Sequence, residues 1–179
     1  MPSSALILRW LPRILFSMSV LGWTLSASCD DLPEYRLKTA FIYNFAAFTE
    51  WPAEVGTTLN LCIYGQDPFG VEIDGLNGKT VGSRTFVVGR KPSLESLMSC
   101  QIAFITRAAI GDLPHVLATV HGLPILIVAD SPGAARQGAA LNMNLEHNRV
   151  TFEANLDAAR AAGLNLSSKL LRLATDIIQ

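Results

Sequence analysis

The chain has 179 residues and a net charge of −1, with 50% hydrophobic and 16% charged residues. That balance excludes an acidic tail, and the scattered Lys and Arg of its later part lack the basic footprint of a nucleic-acid binder. The length suits one domain able to bury a core.

Arg9 and Arg13 flank the start of an apolar run from Ile14 to Leu25, the small residues Ser26, Ala27 and Ser28 follow, and no acidic residue precedes Asp30. Positive region, apolar core and small-residue exit, in that order, are the marks of a secretory signal peptide. The apolar core is shorter than the roughly 20 residues of a membrane span. A retained anchor is the alternative, and a second is lipid anchoring at Cys29. "LSASC" resembles a bacterial lipoprotein box displaced by one place, with Ser26 where a branched apolar residue belongs. The expected division is a signal peptide over 1–28 and one domain over 29–179. Within that domain Cys62 and Cys100 read as a disulfide if the chain is exported, and as buried thiols if it is cytosolic.

The spacing of Leu37, Phe41, Phe45 and Phe48 predicts a helix from Pro33 to Trp51, with Asp31 and Pro33 suited to its first turn and Pro52 ending it. In this reading the aromatic stretch "YNFAAFTEWP", Tyr43 to Pro52, is the core face of a helix, not a ligand box. Strands follow at Leu59–Gly65 and Arg84–Arg90, with a brief helix and a glycine-rich turn between them. A helical turn from Leu94 leads to a strand at Gln101–Ile105. A helix over Ile110–His121 stops at Gly122, and an apolar strand over Pro124–Asp130 ends in a carboxylate.

Alternating apolar residues then predict antiparallel strands through Leu141, Met143 and Leu145 and through Val150, Phe152 and Ala154, joined by a turn at Glu146–Arg149. Asn155 suits the cap of a helix running to Ala162, with Gly163 as its stop. Ser167 or Ser168 suits the cap of a last helix. Together these elements predict a single mixed α/β domain. Its mostly parallel sheet is covered by helices on both faces and carries a C-terminal antiparallel strand pair. If the first and third predicted strands are neighbours, Cys62 and Cys100 come within bridging distance.

Motifs for chemistry are weak. "GLNGKT" has Ile73 where a P-loop requires its first glycine. His115, His121 and His147 form no metal-ligand spacing, so no metal or cofactor is expected. Around Ser131, "ADSPG" lacks the nucleophile elbow, and Pro132 removes a backbone donor. No enzyme reaction is indicated. The carboxyl ends of the parallel strands, with Gly65, Ile105 to Arg107 and Asp130 to Gly133, offer one crevice for a small ligand.

"YRLKTAFIYNFAAFTEWP" and "NRVTFEANLDAARAAGLNLSSKLLRLA" resemble the YfiR family of bacterial periplasmic regulators, a similarity that runs from Tyr35 to Ala174. The resemblance implies a non-enzymatic periplasmic repressor that binds the sensing domain of an inner-membrane diguanylate cyclase and so lowers cyclic-di-GMP and biofilm formation. An outer-membrane lipoprotein as a sequestering partner and a homodimer belong to the same expectation. Cys62 and Cys100 match family disulfide positions, whereas a second, later pair found in some members is missing. The resemblance also points to a partner-binding surface with Leu141 and Ala159 as its apolar centre and Glu153 as its charged rim. The alternative function is a periplasmic small-ligand binder that uses the strand-end crevice.

Overall fold

The computed structural model describes residues 34–179. The expected signal peptide, Cys29, Asp31 and Pro33 lie outside them. The first helix, α1 (Glu34–Ala47), stops before the expected Trp51. Thr49–Glu50 leaves it as strand β1, which pairs antiparallel with Asn165–Leu166. That pairing draws the chain out of the helix before Pro52 can act. The buried face of α1 is also turned from the expected stripe. Lys38, Ile42, Phe45 and Ala46 are enclosed, while Leu37, Phe41 and Phe48 are only half-buried on its flank.

After β1 the chain forms β2 (Thr58–Tyr64), α2 (Val71–Asp74), β3 (Thr80–Val81) and β4 (Arg84–Lys91). A 3-10 turn over Glu95–Ser99 leads to β5 (Ile102–Ile105). A second, over Arg107–Asp112, enters α3 (Leu113–Thr119). β6 (Leu126–Ala129), β7 (Leu141–Glu146) and β8 (Arg149–Asn155) follow. The chain continues through α4 (Leu156–Ala161), β9 (Asn165–Leu166) and α5 (Ser168–Leu171) to β10 (Asp176–Ile178). The caps act as the sequence suggests. Asn155 Oδ1 accepts from the Ala158 N–H at 2.8 Å, and Ser167 Oγ accepts from the Leu170 N–H at 3.3 Å. The β7–β8 turn places His147 and Asn148 at φ 49° and 60°, the left-handed pair of a two-residue hairpin loop.

Eight strands form one sheet in the order β10-β8-β7-β6-β5-β2-β4-β3. β4, β2, β5, β6 and β7 are mutually parallel, whereas β8 is antiparallel to β7 and β3 to β4. The parallel strands therefore have the doubly wound order 2-1-3-4-5, whose direction of winding reverses between β2 and β5. β5 and β6 are buried at every position because both faces are covered. On one face Leu61, Ile63, Phe104, Val128 and Phe152 pack with α1, α2 and α4. On the other, Cys62, Ala103, Ile105 and Ile127 pack with α3 and the 3-10 turns. β2 lies beside β5, and Cys62 is bonded to Cys100 across that pair, with Cα atoms 6.0 Å apart.

Candidate functional site

The switch between β2 and β5 opens a crevice at the carboxyl ends of these strands, beyond Tyr64 and Ile105, and the first turn of α1 sits over it. Gly65 makes the turn out of β2 at φ 97°. A Cβ there would stand 2.3 Å from Thr106 Oγ1 and 2.6 Å from Ala109 Cβ, so only glycine lets the two strand ends approach. Past the end of β6, Asp130 points back under α1 with its side chain fully enclosed.

Asp130 is the hub of a charge cluster. Lys38 Nζ, equally enclosed, donates to Asp130 Oδ2 at 2.6 Å, and the Tyr35 hydroxyl donates to the same oxygen at 3.1 Å. Arg107 Nε donates to the Asp130 carbonyl at 2.8 Å and lies 3.5 Å from Oδ2. Glu34 joins Arg107 at 3.1 Å and pairs with Lys38 one helical turn along. Lys38 Nζ also sits 4.6 Å from the centre of the Tyr35 ring. Two carboxylates face two cations, so the cluster is close to neutral. Burial, and then the charge of Asp130 and the bond to it, push the Tyr35 phenol up from 10.0 to about 12.

Arg107 divides the crevice into two depressions. One, of about 200 Å³, lies between Tyr35, Asp67, Thr106 and Arg107 at the winding reversal. The other, of about 520 Å³, lies past β6 and β7 and is lined by Arg107, Asp130, Pro132, Leu145, Glu146 and Glu153. Thr106 Oγ1, Asp130 Oδ1 and Ser131 Oγ are buried around them with no hydrogen-bond partner among the described residues. Nearly every buried polar group in a folded protein is hydrogen-bonded, and three of the five exceptions among the described residues lie past the ends of β5 and β6.

A family description, YfiR/HmsC-like, matches residues 35–175. The chain belongs to the YfiR/HmsC-like family. Solved structures resemble the YfiR/HmsC-like domain in fold alone. An ABC domain from Streptococcus pneumonia, solved in complex with L-Trp, aligns at a TM-score of 0.55 with 9% identity over 80% of this chain. A conserved domain protein from Vibrio cholerae aligns at 0.51 with 8% identity, again over 80%. This chain spans 60% of the length of each of these two.

The YfiR/HmsC-like fold brings the residues of the expected partner surface near one another but does not expose them all. Leu141 is 0% exposed, and Ala159 is 1% exposed. Both belong to the core under α1, because the inward face of β7 continues the sheet's buried layer and α4 lays Ala159 on it. Neither can be the apolar centre of a surface. Glu153 is half-buried and accepts from Asn142 Nδ2 at 3.0 Å. The expected alternation in β8 holds for Phe152 and Ala154 inward and for Thr151 and Glu153 outward. Asn155 departs from it, enclosed by its capping bond and by its Nδ2 donating to the Ala135 carbonyl at 2.7 Å.

Lys38, the residue on which the cluster turns, went unread in the sequence. Its signal was a lysine four residues before Ile42 on one helical face, together with a carboxylate ending an apolar strand. Each reads as a surface charge until the fold brings residues 92 apart into contact.

Proposed function

We propose that residues 1–28 export the remaining domain to the periplasm, where it binds the sensing domain of an inner-membrane diguanylate cyclase and represses it. Cyclic-di-GMP and biofilm formation fall as a result. An outer-membrane lipoprotein that sequesters the repressor, and a homodimer, belong to the same reading. The observation that carries the proposal is family membership across residues 35–175. A disulfide in the middle of the sheet adds support, because such bonds persist in oxidising compartments. Among the described residues no helix is long and apolar enough to cross a membrane.

In this reading the docking surface includes Glu153, the only one of the three expected residues that is not buried. Leu145, four residues beyond Leu141 on β7 and 41% exposed, takes over the apolar role and lines the same depression as Glu153 and Glu146. Interfaces concentrate their energy in a few such central residues within a polar rim. Deleting the gene in its host is expected to raise cyclic-di-GMP measured by mass spectrometry, and a plasmid copy to restore the low level. An unchanged level in the deletion strain would contradict the proposal.

A further inference from the structure

A separate depression, of about 200 Å³, lies at the amino end of β6, the end opposite the Asp130 crevice. β7 begins at Leu141, beside Val128, so the first half of β6 has no strand next to it there among the described residues. The gap left in the sheet is flanked by the end of α3 and by α4. Ile125 and Ile127, both buried, form its base. On the α3 side Leu117 packs against Gly138, whose φ is 110° and where a Cβ would stand 2.7 Å from Leu117 Cδ1. Only glycine permits that approach, which fixes the width of the space. The facing wall is made by Ala158 and Ala161 of α4 and by Ala162 at its end, which share one helical face. Each contributes a single methyl group, and a longer side chain there would fill the space.

The chemistry of the lining selects against charge. Among the described lining residues there is no carboxylate, lysine or arginine, and His121 at the rim has the only polar side chain. The backbone N–H groups of Leu123, Ile125, Gly138 and Ala162 are already bonded, to the carbonyls of Val120, Leu123, Ala135 and Ala158 at 3.0, 2.8, 3.1 and 3.3 Å. A water molecule held there would need about two to four polar partners, which this lining does not supply. An apolar cavity of roughly 150 Å³ accepts benzene, so the present volume suits one ring with a small substituent. The flat alanine wall of α4 and the branched side chains opposite it form a slot that fits a planar ring better than a globular group.

We propose that this depression binds a small uncharged aromatic molecule of one ring, its face against Ala158 and Ala161 and its edge toward Ile125 and Ile127. The inference stands apart from cyclase binding, which is assigned to the other end of β6. It is tested by titrating the purified protein with toluene while following backbone amide and methyl shifts by NMR, with benzoate as the charged control. Saturable shifts are expected at Leu117, Ile127 and Ala161 with toluene and not with benzoate at the same concentrations. Ala161→Leu, a change between good helix formers at an exposed position, is expected to keep the fold and to weaken toluene at least about tenfold by occupying the space. Ala158→Leu is a second filling variant with the same expectation. No saturable shift, equal shifts with benzoate, or unchanged affinity in both folded variants would overturn the proposal. A dimer seen by sedimentation of wild type and abolished by both variants would assign the space to a second copy and would overturn it as well.

Discussion

Asp130 and Lys38 have no exposed side-chain surface, so each depends on the other for the polar environment that water would supply. Removing the Asp130 charge leaves the buried Lys38 ammonium to Glu34 alone, and a buried charge that loses its enclosed partner destabilises more than the pair itself stabilises. Asp130→Asn is expected to lower unfolding stability by about 3 kcal/mol in urea. Adding Lys38→Met to that variant should recover part of the loss. A single variant as stable as wild type would contradict this account of the pair. Tyr35 gives a prediction on pH. Its phenol titrates near 12 in the folded chain and near 10.0 when unfolded. The unfolded chain therefore loses this proton first. The stability contribution is complete below pH 10 and disappears as pH rises through 12. In Tyr35→Phe the alkaline decline measured by thermal melts should be shallower over that window, with Tyr64, also raised by burial and its bond to Asp112, supplying part of what remains. Identical declines would rule out this role for Tyr35.

At the scale of elements, the Cys62–Cys100 bond ties the middle of β2 to the entrance of β5 over a sequence separation of 38. On the chain-entropy estimate, closing such a loop stabilises by about 4 kcal/mol. Cys62→Ser is accordingly expected to melt well below wild type, and reductant should lower the melting point of wild type but not of the variant. Equal melting in oxidising buffer would contradict that role. Gly65 gives a sharper local test. With Thr106 Oγ1 2.3 Å from the site of a new Cβ and φ at 97°, Gly65→Ala should be more destabilising than an ordinary surface substitution, by about 2 kcal/mol or more. Elements with a strong local signal were legible from sequence: the apolar runs of β5 and β6, the alternation of β7 and β8, and the caps at Asn155 and Ser167. The strands Thr49–Glu50, Thr80–Val81, Asn165–Leu166 and Asp176–Ile178 were not. Each has only two or three residues and exists because a distant segment supplies its hydrogen bonds, so no local periodicity announces it.

For the whole molecule, bridging the cysteines requires β2 and β5 to be neighbours, and the sheet order satisfies that condition. The strand-end crevice was legible because doubly wound sheets share a topological rule. The surface was read less well. Leu141 and Ala159 lie inside the molecule because alternation in a strand says which residues share a face, not which face another layer covers. Ala159→Glu would place a carboxylate in the core and is expected to prevent folding. Glu153→Lys reverses a charge on a half-buried position and is expected to leave the fold intact by circular dichroism. The central claim is repression through direct docking, and it is tested most directly by isothermal titration of the purified protein against the periplasmic sensing domain of the cognate diguanylate cyclase. The account predicts saturable binding by wild type that weakens at least about tenfold in Glu153→Lys, the scale of a lost or opposed charge at an interface. Absence of binding by folded wild type would contradict repression by docking, and binding unchanged in Glu153→Lys would contradict the surface assigned to it.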